Sequence, residues 1–346
     1  MKVITRYTIL AVTALLLILQ ACKPDPSFTP DVQQDISFKV PDGWPAPVYN
    51  FENNKLTKEG FELGKKLFFD TRLSIDNSVS CGSCHLPGNA FAQIDHDLSH
   101  GVNDKLGTRN SPAIFNMNWH TGFFWDGGVN HIENQPINPI ENPVEMAETM
   151  QGVIAKLNAD ATYKSMFKAA FGDETVNSQR IGKAFAQFMG MLVSSTSKYD
   201  DVMRGAAQFT VAERKGLDIF KANCATCHKE PLFSDFSYRS NGLSANAHND
   251  SGRGHITGLQ EDMKKFKVPS LRNLSYTRPY MHDGRMESLT DVLEYYSAQI
   301  DSNAMNLDPM LKRGIPLTAQ EKDDLLSFLK TLDDPAFVRD PRFQEK

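Results

Sequence analysis

Two short runs of this sequence carry residue types at a spacing suited to one kind of chemistry. Cys81-Gly82-Ser83-Cys84-His85 and Cys224-Ala225-Thr226-Cys227-His228 each hold two thiols separated by two residues, with a histidine directly after the second. Thiols at this spacing can both add to the vinyl groups on one edge of a porphyrin, and the adjacent imidazole can then reach the iron. The pattern predicts two covalently attached c-type haems, with His85 and His228 as proximal iron ligands. A zinc site or a redox dithiol also uses paired cysteines, but neither calls for a histidine beside the second cysteine in both copies.

The chain has five cysteines in 346 residues, and the one left over is Cys22. Lys2 and Arg6 precede an apolar run from Ile9 to Leu19, which is too short to span a bilayer but suits the core of a signal peptide. It ends in Leu19-Gln20-Ala21-Cys22, which resembles a bacterial lipobox. Residues 1–21 therefore read as a lipoprotein signal peptide. Cys22 becomes the acylated first residue of a membrane-anchored, periplasm-facing chain; the plainer alternative is a secretory signal with a chance cysteine. Six prolines between residues 22 and 47 read as an extended, semi-rigid tether.

Composition narrows the function classes. With 40% hydrophobic and 23% charged residues the chain is an ordinary globular one, neither disordered nor collagen-like nor a multi-span membrane protein. A net charge of −5 leaves no positive excess for phosphate, so nucleic acid is not an expected partner.

The elements that must carry the two motifs resemble each other. Leu63-Gly64-Lys65-Lys66-Leu67-Phe68 and Lys215-Gly216-Leu217-Asp218-Ile219-Phe220 share the glycine and the phenylalanine upstream of each cysteine pair. Thr57 with Glu59, and Thr210 with Glu213, stand where they start a helix, the second pair at capping-box spacing. Ile181, Ala184, Phe185, Phe188, Met189 and Leu192 keep the helical period of a buried face, as do Leu289, Val292, Leu293 and Tyr296; Leu325, Leu326 and Leu329 mark a terminal helix. Sustained period-two strands are missing. The expected fold is mainly α with little β: two cytochrome c-like domains, residues 48–205 and 206–346, each with one haem wrapped in long loops.

Two haems alone would serve an electron carrier or a redox sensor. Further motifs point elsewhere: Arg109-Asn110-Ser111-Pro112, Phe124-Trp125-Asp126-Gly127, Gln135, Asn142-Pro143-Val144-Glu145-Met146, then Val268-Pro269-Ser270-Leu271-Arg272-Asn273-Leu274 and Pro279-Tyr280-Met281-His282-Asp283-Gly284-Arg285. In order and spacing they resemble the bacterial dihaem cytochrome c peroxidase family, which includes MauG-like enzymes, over roughly residues 48–335.

The resemblance implies a peroxide site at the His85 haem, with Glu145 as acid–base group, Gln135 positioning the ligand and Trp125 relaying electrons between the haems. These three recur at ten-residue intervals. It also implies a calcium ion held by the Asn110 side chain and the carbonyls of Thr277 and Pro279. At the second haem the position of the peroxidases' axial methionine falls on Tyr296, as in MauG-like members, with Met281, Met286 and Met305 as alternatives. Tyrosinate would lower the haem potential where a thioether raises it. His100, or less directly His96, stands near a histidine that gates the first haem in ordinary peroxidases. His120, His131, His248 and His255 have no assigned role.

Taken one at a time, Trp125 suits a core and Glu145 a helix N-terminus; jointly they suit catalysis. The resemblance implies reduction of hydrogen peroxide with electrons from a small cytochrome c or cupredoxin, and, since members are often dimers, a homodimer. Two rivals stand beside it: a MauG-like oxidant of residues in a partner protein, and a non-enzymatic dihaem carrier or sensor.

If Cys22 is the acylated residue, Cys22→Ser moves the haem protein from the membrane fraction to the soluble fraction of a cell fractionation. Unchanged membrane retention would remove the anchor.

Overall fold

The computed structural model describes residues 36–94 and 96–345. The signal segment and Cys22 lie outside the described residues. Each cysteine pair follows a capped helix that crosses a later helix at close range. Helix α1, Lys58–Phe69, is capped by Thr57, whose hydroxyl accepts from the Gly60 N–H at 3.0 Å. It packs on α2, Ser178–Met189, whose buried side is the predicted Ile181, Ala184, Phe185, Phe188 stripe. In the second copy α3, Val211–Asn223, begins with the expected Thr210–Glu213 capping box. It packs on α5, Ala319–Leu329. Between these, α4, Leu289–Glu294, runs directly into a π-helical turn, Tyr295–Gln299.

The glycines of the repeat are what let these helices meet. A Cβ on Gly64 would collide with the Ala184 carbonyl oxygen, and one on Gly216 with that of Asp324. One turn further on, Phe68 meets Phe188 and Phe220 meets Phe328, each pair with ring centroids 5.1 Å apart. The short repeat therefore encodes the same helix crossing twice.

Two cores result. Phe61, Phe68, Phe91, Phe185 and Phe188 anchor the first, and Leu217, Phe220, Phe233, Leu325 and Phe328 the second. Neither is confined to one stretch of chain. Tyr199 belongs to the second core, while Phe337, Val338 and Phe343 return from the C-terminus to the first. Each core thus draws on chain from both sides of residue 205.

The described part of the proline-rich stretch, residues 36–47, is laid on the body. Trp44 and Trp119 pack edge to face at 4.9 Å, Trp119 Nε1 donates to the Pro45 carbonyl at 2.8 Å, and the Arg272 guanidinium lies 4.8 Å above the Trp44 ring. The proline count suggested an extended, semi-rigid tether; in its described part Phe38 and Trp44 hold the segment to the body through aromatic contacts.

Little β structure forms. Strands β1, Tyr238–Arg239, and β2, Phe266–Lys267, pair antiparallel with Tyr238 opposite Lys267, and they are the one sheet among the described residues. No described helix is long and apolar enough to cross a membrane.

Gly64→Ala and Gly216→Ala each force two backbones apart and are expected to cost about 1–3 kcal/mol. Thermal unfolding followed by circular dichroism would show a lowered Tm for both. Gly88→Ala, where an added Cβ meets nothing within 4 Å, leaves it unchanged.

Candidate active site

The first cysteine pair opens onto a cavity lined by Cys81, Cys84, His85, His100, Gln135 and Glu145. Its imidazole is prepared for a metal. His85 Nδ1 donates to the Phe91 carbonyl at 2.9 Å, which leaves Nε2 with its lone pair. Burial lowers its pKa to about 4, so the ring is neutral at ordinary pH.

Glu145 reaches this cavity from a tight turn. Helix formation starts only at Met150, after the Thr149 cap, so Glu145 is no first-turn carboxylate of that helix. Its own N–H donates to the Asn142 carbonyl at 3.0 Å, and its carbonyl accepts from Val102 at 2.8 Å. The second bond draws in the His100 loop. Gly101 is the residue that permits the approach, since a Cβ there would strike the Glu145 backbone.

The carboxylate is itself held. Asn142 Nδ2 donates to Glu145 Oε1 at 2.8 Å, and Asn142 Oδ1 accepts from the Val144 N–H at 3.1 Å, which fixes the amide's direction. Burial raises the Glu145 pKa above the usual carboxylate value, and the Asn142 bond opposes that rise. The His100 ring stands 4.2 Å from that of His96.

The second cysteine pair opens onto a larger cavity of about 300 Å³, lined among others by Cys224, Cys227, His228 and Tyr296. His228 Nδ1 has the carbonyls of Phe233 at 3.2 Å and Pro269 at 3.1 Å within reach. Burial lowers its pKa as well. Tyr296 sits on the π-helical turn, a local widening of the helix of a kind frequent at functional sites. One amide spans the two rival axial groups: Asn241 Nδ2 lies 3.3 Å from the Tyr296 hydroxyl and 3.5 Å from Met281 Sδ. Met281 lines this cavity, whereas Met286 and Met305 do not. Burial raises the Tyr296 pKa.

Trp125 lines this second cavity. Its indole N–H donates to the Asn110 carbonyl at 2.9 Å, while the Asn110 N–H donates to the His282 carbonyl at 2.8 Å. His282 in turn stacks on Phe266 with centroids 3.7 Å apart. Arg109 pairs with both Asp126 and Asp250. Asn110, Thr277 and Pro279 line one cavity, and the Asn110 amide donates to the Asp97 carbonyl at 3.1 Å. Among the described residues no three His, Cys, Asp or Glu side chains cluster as metal ligands.

The donor set fits haem at both places: paired thiols, a neutral imidazole with its Nδ1 occupied, and a cavity beside them. A family model for di-haem cytochrome c peroxidases matches residues 58–208. The methylamine utilization protein MauG of Methylophilus methylotrophus is 34% identical over 304 residues, covering 86% of this chain and 88% of that one. This chain belongs to the di-haem cytochrome c peroxidase family. The cytochrome c551 peroxidase of Nitrosomonas europaea is likewise 34% identical, over 80% of this chain and 81% of its own. A crystal structure of a MauG-like protein associated with microbial copper homeostasis superposes with a TM-score of 0.81 at 34% identity, covering 89% of this chain and 98% of that one. The family is one of haem peroxidases, so the chain is an oxidoreductase with two c-type haems.

Sequence reasoning named the groups that line the cavities and missed those that orient them. Asn142 sits inside a motif already noted, three residues before Glu145; Lys267 and His120, which meet at 3.4 Å on the wall of the second cavity, carried no signal beyond their residue type.

Replacing Cys224 and Cys227 by alanine together removes one of the two haems. Intact-mass measurement of the exported protein would show a loss equal to one haem beyond the two sulfur atoms.

Proposed function

We propose that the protein reduces hydrogen peroxide to water at the first cavity, drawing electrons through the second from a small cytochrome c or cupredoxin. The convergence of Glu145, Gln135 and His100 beside His85 carries this reading. When bound, the haems supply the electrons and the open iron coordination at which peroxide reacts. Glu145 takes the proton from one peroxide oxygen and delivers it to the other, so that the O–O bond breaks to release water. Two electrons and two further protons complete the conversion of one peroxide to two waters.

Asn142 keeps the Glu145 carboxylate aimed and favours its ionised form, and Gln135 offers an amide to the bound ligand. Trp125, hydrogen-bonded to Asn110 and lining the second cavity, relays electrons between the two haems. His100 enters the first cavity as a gating ligand. Calcium is assigned to the Asn110 side chain and the Thr277 and Pro279 carbonyls, with water completing its shell. The periplasmic face of a membrane, reached through an acylated Cys22, is the proposed location, and a homodimer the proposed assembly.

One observation favours a second reading. Tyr296, placed beside Met281 in the second cavity, supplies an anionic oxygen ligand that would stabilise high oxidation states. The enzyme would then act on residues of a partner protein, as a MauG-like oxidant.

Mixing the purified protein with peroxide, before and after one-electron reduction, separates the readings. Rapid oxidation of an added reduced cytochrome supports the peroxidase, and a long-lived intermediate without donor turnover supports the oxidant. Glu145→Gln lowers peroxide turnover by about 10²–10⁴-fold; full activity would eliminate the acid–base role. Asn142→Ala removes a donor that favours the carboxylate, so the Glu145 pKa rises. The acidic limb of the pH–rate profile then moves to higher pH.

A further inference from the structure

Three lysine or arginine side chains line the second cavity: Arg239, Lys267 and Arg272. Two are fully committed to acids. Arg272 donates to both Asp200 oxygens at 2.7 and 2.8 Å and to the Pro231 carbonyl at 2.9 Å. Arg239 is shared between Asp235 and Asp308. Among the described residues Lys267 has no carboxylate partner. Its amine donates to the Gly122 carbonyl at 2.8 Å and lies 3.4 Å from His120 Nδ1. Asp126, whose charge acts on it, is already paired with Arg109.

A haem carries two carboxylate arms, and placing them in a largely apolar cavity is costly unless a cation or N–H group meets them. Elimination among the lining cations leaves one that is free to do so. We propose that Lys267, backed by His120, binds a carboxylate arm of the haem attached at Cys224 and Cys227, and by its charge raises that haem's midpoint potential. The inference rests on the reading that a haem occupies this cavity.

The surroundings of Lys267 suit the role. Removal from water drives its pKa down to about 7, and a carboxylate beside it restores the charged form. His120 is held neutral by burial and by the lysine; accepting from Lys267 at Nδ1, it keeps Nε2–H as a second donor. The same residue ties the cavity to the proposed relay, since the Lys267 N–H donates to the Trp125 carbonyl at 2.7 Å. A positive charge here favours the reduced, more negative haem.

The test is a potentiometric titration of the purified di-haem protein, followed by its visible spectrum. The spectrum missing from the Cys224→Ala, Cys227→Ala variant identifies the second haem. Lys267→Met is expected to lower that haem's midpoint by about a tenfold change in its reduction equilibrium, ~59 mV for one electron, and to leave the first haem in place. Lys267→Arg, which keeps the charge, stays close to the parent. Lys267→Gln gives the same downward shift and serves if the methionine variant does not accumulate. With two haems present, unchanged midpoints in the methionine and glutamine variants overturn the proposal. An arginine variant shifted as far as the methionine one also overturns it. Fewer than two haems by mass in the parent overturns the underlying reading instead.

Discussion

Each half of the molecule is organised by one contact, a helix backbone pressed against another at a glycine. Gly64 on the Ala184 carbonyl and Gly216 on that of Asp324 bring the helices close enough for Phe68 to meet Phe188 and Phe220 to meet Phe328. The cysteine pairs and their histidines follow these crossings in the chain and inherit their placement. A side chain at either glycine would displace the wall that supports His85 or His228, so the chemistry at both cavities depends on the missing Cβ.

The two cavities face the same electrostatic problem with opposite signs. Water is withdrawn from Glu145 in one and from Lys267 in the other, and burial pushes each toward its neutral form. In the first cavity Asn142 counters the shift with a donated hydrogen bond, and its own direction is set by the Val144 N–H. In the second, the amine stands against a carbonyl and an imidazole, which take two of its three N–H groups without balancing its charge. The first arrangement suits a group that takes and returns a proton. The second suits a group that answers an anion.

Along the wall of the second cavity, short polar links hold distant segments together. Trp125, Asn110 and His282 are joined through main-chain carbonyls, His282 stacks on Phe266, and Arg109 pins both Asp126 and Asp250. These bonds depend on backbone direction, which ties the position of the proposed relay to the way the two cores dock.

Much of this was readable in the chain. Cysteine and histidine spacing is a covalent property of neighbouring residues, and the buried face around Phe185 and Phe188 follows from helical period, so the two thiol pairs with their histidines, the α-rich fold and the repeated helix ahead of each pair were legible. The approach of the His100 loop to Glu145 through Gly101 was not, nor was the choice between Tyr296 and Met281, which now share Asn241. How residues 36–47 lie against the body was not legible either, because Phe38 and Trp44 pack on Trp119, far along the sequence. By itself the sequence determined which groups are present and which local elements carry them, since both depend on near neighbours. Only the tertiary structure decided which cavity the Glu145 carboxylate, the Lys267 amine and the Tyr296 phenol each line and how far each loses its water, because those are consequences of contacts between distant segments.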